Sequence, residues 1–282
     1  MATTEAATIS EEVHPDYTVG INELTKVRDC LEGSPEIKRK GYRYLPHPSQ
    51  IDTESNEQKL RYKEYIAGAE FEPYPEQTRR TLLGKMRIGN TTVELPDRIS
   101  YLEQNVDGDG MSLKGAVEFA ASNVLSMKWH VLVADYQGLS DVDLNAISIA
   151  DLEAQNPRSS IKQYTRENVV NWHFDRINGA MQLRFIMLLE RGTEFNQDSF
   201  MHQNVESFLV LALDENGDYY QQKIVYGTDG KQEGERSYVT VNGSPLKWLP
   251  VSIVADEEMS HGIFSRGMGF LHPICDATLH RR

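Results

Sequence analysis

Apolar residues recur at helical spacing from Leu113 to Met127 and then give way to a continuous apolar run, and this change of period is the clearest structural signal in the chain. Leu113, Ala116, Val117, Ala120, Val124 and Met127 follow the i, i+3, i+4, i+7 spacing that gathers side chains on one side of a helix, with Lys114, Glu118, Ser122 and Lys128 off that stripe. Ser112 stands where an N-cap belongs, its hydroxyl free to accept an orphan N–H of the first turn, while Gly115 at N3 leaves the capping box half made. From Trp129 the chain reads Trp-His-Val-Leu-Val-Ala-Asp-Tyr. Neighbouring strand side chains point to opposite faces, so Val131 and Val133 share one face and Leu132 and Ala134 the other. The pattern predicts an amphipathic helix feeding a central strand covered on both sides.

Shorter helical patterns precede this unit. Residues 1 to about 15 are rich in Thr, Ala and Glu with little to bury, and read as a disordered arm. Ile21, Leu24, Val27, Cys30 and Leu31 form a helical stripe ended by Gly33-Ser34-Pro35. Tyr42, Tyr44 and Leu45 then lead to Pro46 and Pro48, which predicts an extended, proline-stiffened connector over residues 38–49. Leu60, Tyr62, Tyr65, Ile66 and Ala69 mark a helix over 58–71, ended or kinked by Pro73 and Pro75. Pro75 suits the first turn of the next helix, Glu76 its positive dipole end, and Leu82, Leu83 and Met86 give it a face to bury. Arg79, Arg80, Lys85 and Arg87 read as its solvated face.

After residue 136 the texture becomes β. A polar stretch, 137–160, leads to a strand pattern at Glu167–Trp172, and Asn178-Gly179 separates it from a returning strand at Met181–Leu189. Asn-Gly is the strongest short hairpin signal, because a type I′ turn needs positive φ at both central positions. A second hairpin pairs Ser207–Leu213 with Tyr219–Tyr226 across Asp214-Glu215-Asn216-Gly217, and Asn242-Gly243 marks a third turn before Pro250–Val254. The fold class is α+β: a helical half (16–128) packed with a mainly β half (129–260) that reads as an antiparallel meander, then a Gly-rich linker and a helix start over 261–282. There is no internal repeat.

With 282 residues and 39% hydrophobic content, the chain has the material for a sizeable core. The net charge of -13, from 29 Lys and Arg against 42 Asp and Glu, argues against a surface built to grip phosphates. Cys30 and Cys275 have no metal-type spacing, so buried or free thiols are expected in place of a disulfide. No apolar run approaches the ~20 residues of a membrane span, and the N-terminus carries no signal pattern.

The candidate chemistry is sparse. Asp107-Gly108-Asp109-Gly110 imitates the start of a calcium loop, but Val106 and Met111 stand where oxygen ligands belong and no bidentate Glu closes it, so a turn into the Ser112 helix is expected. Asp135, Asp141, Asp143 and Asp151 would suit a metal-dependent nuclease, but no acid-x-Lys strand element follows. His14, His47, His130, His173, His202, His261, His272 and His280 show no His-x-x-x-His pairing, and His130 and His173 read as structural histidines. Neither a nucleophile elbow nor a phosphate-binding Gly-Lys loop is present. The sequence therefore predicts no catalytic, cofactor-binding or metal residues and no enzyme activity.

An ordered series of motifs runs through the chain: Tyr44-Leu45-Pro46, Tyr62 and Tyr65, Arg80-Thr81, Val93-Glu94-Leu95-Pro96, Tyr101-Leu102, Asp107-Gly108-Asp109-Gly110 with Ser112-Leu113, and Phe119-Ala120. Downstream come Glu167, Val169-Val170-Asn171-Trp172, Asn178-Gly179, Gln182-Leu183, Glu190, Gly243, Pro245-Leu246 and Leu249-Pro250-Val251. In order and spacing this series resembles one branch of the tailed-bacteriophage portal proteins. Pro73 and Pro75 depart from it, interrupting a helix expected to be continuous in relatives.

The resemblance implies a virion protein: a homo-oligomeric ring, typically a dodecamer, at one capsid vertex. Its partners would be the major capsid protein, the head-tail adaptor, the terminase during packaging, and double-stranded DNA passing through without sequence specificity, with no membrane and no cofactor. Residues 16–260 would be the portal wing, and the helix start at Pro273–Arg282 would lead toward stem, clip and crown beyond this chain. Tyr219, Tyr220, Tyr226 and Trp248 are candidates for contacts between subunits, with burial in the core the plainer reading for Trp248 and half of the others. A scaffold or head-completion protein shares this composition; a metal-dependent nuclease would require Asp107, Asp109 and Asp135 to converge.

Overall fold

The computed structural model describes residues 12–47, 55–88, 92–137, 158–177, 179–196, 200–227, 230–241, 243–256 and 267–279. Helix α1 (Pro15–Glu32) starts before the stripe that begins at Ile21, because Pro15 presets the first turn and His14 Nδ1 accepts the Asp16 N–H at 3.1 Å. Residues 12–15 are thus part of the fold: the His14 N–H donates to the Val170 carbonyl, the Glu12 carbonyl accepts from Asn171, and the His14 ring stacks on Trp172 at 4.0 Å. The remainder of the arm, residues 1–11, lies outside the described residues. Ser34 and Pro35 begin a second helix, α2 (Ser34–Lys40), and a 3-10 turn follows at Gly41–Arg43, so the extended connector predicted from residue 38 is largely helical. Pro35 is tolerated there because first-turn N–H groups have no helical partner. This prediction missed because Pro46 and Pro48 act only downstream of the turn.

Helices α3 (Asn56–Gly68) and α4 (Tyr74–Met86) match their periodicity but lie shallow: α3 buries no residue and α4 buries only Pro75. Met86, assigned to the buried face, is 57% exposed. Arg79 and Arg87, assigned to the solvated face, turn toward Ser122 (3.0 Å) and Glu118 (2.6 Å). They join α4 to α5 (Leu113–Met127), whose N-cap is formed as predicted by Ser112 Oγ accepting the Gly115 N–H at 3.1 Å. Ala116, Ala120, Val124 and Met127 are buried, but Val117 is exposed, so the stripe is narrower than the spacing suggests.

Strand β1 (Trp129–Gln137) is central, with β2 (Arg158–Thr165) on one side and β11 (Val251–Ala255) on the other. The meander proper is β3 (Val169–Ile177), β4 (Ala180–Asn196), β5 (Met201–Leu213), β6 (Tyr219–Gly227) and β7 (Gly230–Glu233), paired in that order, with β8 (Ser237–Tyr238) on β6. β9 (Thr240–Val241) and β10 (Ser244–Pro245) form a small ribbon. The β half is therefore two main sheets, not one meander, because β11 crosses back to pair with β1. The hairpin turns fall where predicted: Ile177 pairs with Ala180 around Gly179 at φ +83, and Leu213 pairs with Tyr219. β2 went unpredicted, its Arg-Ser-Ser-Ile-Lys-Gln-Tyr-Thr sequence carrying few of the apolar residues that betray a strand.

Alternation explains the core. Trp129, Val131 and Val133 pack with Ile186, Leu188 and Leu211 of the meander, joining the two sheets. Each fully buried valine or leucine there contributes about 1.5–3 kcal/mol relative to exposure. The intervening residues Met187, Leu189, Phe208 and Val210 face the other way and meet Tyr17 of α1. On the second face of β1 the cover fades: His130 is buried, Leu132 half-buried and Ala134 exposed, so this strand is covered on both sides only at its start.

Helix α6 (His272–Leu279) returns to the N-terminal helices, and Cys275 joins Val27, Cys30, Ile37 and Tyr44 in one cluster. Its approach passes so close to α5 that a Cβ on Gly269 would stand 2.5 Å from the Ser126 carbonyl group. Gly269→Ala is expected to lower the unfolding free energy by about 1–3 kcal/mol, whereas Gly84→Ala, in open space on α4, raises it by about 0.4–1 kcal/mol; chemical denaturation of both variants measures the contrast.

Candidate functional site

The densest polar constellation is the 3-10 turn Arg166–Asn168 between β2 and β3. Arg166 is 5% exposed, and its guanidinium donates to the carbonyls of Met127 (3.1 Å) and Gly267 and lies 5.3 Å from the Trp129 ring. Burial pulls its pKa down to about 10. Glu167 is buried beside it, its carbonyl accepting from Tyr17 Oη at 2.9 Å and its carboxylate 3.1 Å from Arg28 in an ion pair whose angle misses a hydrogen bond. Burial pushes the Glu167 carboxyl up, and Arg28 and Arg191 only partly oppose it. The turn thus clamps α1, the α5–β1 junction and the segment leading to α6. It is a buried structural joint, its two charged side chains spent on neighbouring backbone and on Arg28.

The Asp107–Gly110 loop is a turn. Asn105 Oδ1 accepts the N–H groups of Gly108 and Gly110, and Asp107 Oδ1 those of Asp109 and Met111, all at 2.9–3.0 Å. Burial pushes the Asp107 carboxyl up, but these backbone donors outweigh it and hold the group below its usual range. Asp135 is paired to Lys162 at 2.9 Å. Among the described residues these aspartates form no group close enough to share a metal ion; Asp141, Asp143 and Asp151 lie outside the described residues.

The group that does come together is one the spacing did not reveal. Glu23 of α1 lies 2.7 Å from His272 Nε2, and Asp276 lies 3.4 Å from His272 Nδ1. Lys26 Nζ bridges both carboxylates, 2.7 Å from Asp276. The ammonium already fills the place of a shared cation, so the cluster acts as an ionic lock between α1 and α6. Its members are 249 residues apart at the His272–Glu23 contact, which hides it from any local motif. Deeper under the same helices, Asp29 is fully buried and receives Lys40 (2.9 Å) and Tyr44 Oη. Cys30 and Cys275 are both buried free thiols in mutual contact; that hydrogen bond and burial push the Cys30 thiol up, away from the reactive thiolate.

Of the histidines, His130 is buried, 2.9 Å from Gln163 Oε1 and edge-on to Phe119, while His173 is exposed beside Asp175. His47 lies 5.7 Å from the Tyr62 ring, and His202 is exposed; His261 and His280 lie outside the described residues.

The remaining candidate surface is apolar. β4 and β5 stay paired from Arg191↔Glu206 to Asn196↔Met201, whereas β3 stops at Val169↔Leu188 and β6 at Ser207↔Val225. A two-stranded ribbon about 20 Å long therefore extends past the other strands. It carries Phe195, Phe200 and Met201, which are 50%, 80% and 63% exposed. Trp248, a candidate for subunit contact whose plainer reading is burial in the core, is 59% exposed, because it follows the β9–β10 ribbon at the surface. Tyr219 is instead fully buried and Tyr220 half-buried; the Tyr226 side chain lies outside the described ones. Among the described residues no helix is long and apolar enough to cross a membrane.

No protein-family model matches the sequence, and no curated protein matches it.

Burial holds the His130 pKa below its ordinary 6.5, against the opposing hydrogen bond that His130 Nε2 donates to Gln163 Oε1. As pH falls below about 6.5 the unfolded chain takes up a proton that folded His130 refuses, so stability drops with pH in that window. Wild type is expected to lose stability between pH 7.5 and 5.5 more steeply than His130→Gln, as read by urea unfolding at each pH. Parallel slopes would mean that His130 titrates normally in the fold.

Proposed function

We propose that the chain is a structural subunit of a tailed-phage portal, standing in a ring of identical copies at one vertex of the virion and carrying out no reaction itself. The observation that carries this reading is surface composition: sixteen large apolar side chains are exposed among the described residues, and they fall in separate places. They include the ribbon residues Phe195 and Phe200, Met86 at the end of α4 and Ile88 beyond it, Val117 and Phe119 on α5, and Trp248 beyond β10. Where such residues cluster, as Phe195 and Phe200 do with ring centroids 6.3 Å apart beside Met201, they suit a protein contact, and a subunit with neighbours on two sides needs more than one such place.

The ordered motifs support the same reading, since many occupy joints of the fold. Tyr62 Oη holds the Leu45 carbonyl at 2.9 Å, Glu190 accepts from Tyr164 at 2.7 Å, and Asn171 and Trp172 tie down the segment before α1. The net charge of -13 suits a channel wall past which DNA slides. The nuclease reading loses support, because Asp107 spends its carboxylate on its own loop. In the portal reading the ring, typically of twelve copies, meets the major capsid protein, the head-tail adaptor and the terminase.

Mass photometry and negative-stain imaging of the purified chain test the proposal. Closed rings of one stoichiometry are expected; monomers at every concentration up to tens of micromolar would overturn it.

A further inference from the structure

The sequence holds two cysteines, and the fold brings them together from the two ends of the described chain. Cys30 of α1 and Cys275 of α6 are fully buried and free, and their side chains hydrogen-bond to each other. Val27, Ile37 and Tyr44 complete the apolar cluster around them. A buried free thiol serves as a small hydrophobe, so packing accounts for two small side chains at this contact. It does not ask that both end in sulfur. Lys26 stands one helical turn before Cys30 on α1, and His272 and Asp276 flank Cys275 on α6. The ionic lock and the thiols therefore share one helix–helix seam, the lock in its partly exposed stretch and the thiols in its buried one.

We infer that the α1–α6 seam is an oxidisable site at which Cys30 and Cys275 join in a disulfide, with a low-molecular-weight disulfide as the oxidant. While the seam is closed the thiols are shut away from solvent. When local opening lifts α6 from α1, the Cys275 thiolate attacks one sulfur of the oxidant. A mixed disulfide forms, and the other half of the oxidant leaves as a thiolate. The Cys30 thiolate then attacks the Cys275 sulfur, the protein disulfide forms, and the second small thiolate leaves. Two protein thiols are oxidised, one small disulfide is reduced to two thiols, and the two protein protons end on the leaving groups. Side chains already in contact need little backbone movement to reach bonding geometry. The bond would close a loop of most of the chain, the case in which a cross-link most constrains the unfolded state. The inference goes beyond the portal reading and does not depend on it. In that reading the thiols stay reduced during assembly, and the bond forms once the particle has left the reducing host.

Purified full chain, reduced and then held with excess oxidised glutathione, tests the site. Both thiols are expected to disappear from a thiol titration in denaturant, and peptide mapping should find Cys30 bonded to Cys275 within one chain. The bonded chain should melt about 5 °C or more above the reduced one, a gain that reductant reverses and that Cys275→Ser never shows. Lys26→Gln, which loosens the lock, should close the same bond severalfold faster. Thiols that stay free in the folded Lys26→Gln chain, two separate glutathione adducts, or a bond between two chains would overturn the site. So would a bonded chain that melts no higher than the reduced one, because the cross-link would then distort the seam. A wild type that stays reduced while Lys26→Gln closes the bond overturns it for the natural chain.

Discussion

The buried guanidinium of Arg166 is the constraint on which the arrangement of the whole chain depends. A charge taken from water is tolerated only where partners replace its hydration, and here they come from two stretches far apart in the chain: the α5–β1 junction, with the Met127 carbonyl and the Trp129 ring, and the Gly267 carbonyl. Gly20 of α1 lies alongside, where a larger residue would meet the guanidinium. Removing either of these stretches leaves the cation short of a partner, so the helical half, the small sheet and the return segment are obliged to assemble together. Glu167, next in sequence, extends the obligation to Arg28 and Tyr17. Two adjacent residues in a three-residue turn thus do for the polar interior what Val131 and Val133 do for the apolar one.

The polar networks divide by depth. Asp29 with Lys40 and Tyr44, and Arg166 with its carbonyls, lie inside and specify how helices meet sheets. The Glu23–Lys26–His272–Asp276 lock lies nearer the surface and fastens α6 to α1. The outer helices α3 and α4 bury little, and α4 is tied to α5 by Arg79 on Ser122 and Arg87 on Glu118, nearer the surface still.

Much of the fold was legible because periodicity reports burial directly. Ser112 as cap, the switch from helix to strand after Met127, and the hairpins at Gly179 and Asp214–Gly217 follow from local rules that no tertiary contact overrode. What stayed hidden was non-local. The crossing of β11 back to β1, the joining of Glu23 to His272 and of Cys30 to Cys275, and the role of Arg166 rest on contacts between residues far apart in the chain. Strand β2 escaped because its neighbours, not its own side chains, make it a strand. The exposure of Trp248 and burial of Tyr219 show the same limit in miniature: an aromatic residue in a β region is ambiguous until its register is known.

The β4–β5 ribbon has a further consequence for how such a molecule diversifies. Its outer pairs, beyond Arg191↔Glu206 and as far as Asn196↔Met201, pair with no third strand, so their number is not fixed by the sheet. Inserting or deleting two residues on each strand preserves which side chains face up and which face down, and changes the reach by about 7 Å per step. The span of this projection can therefore lengthen or shorten while the hydrophobic interior stays as it is.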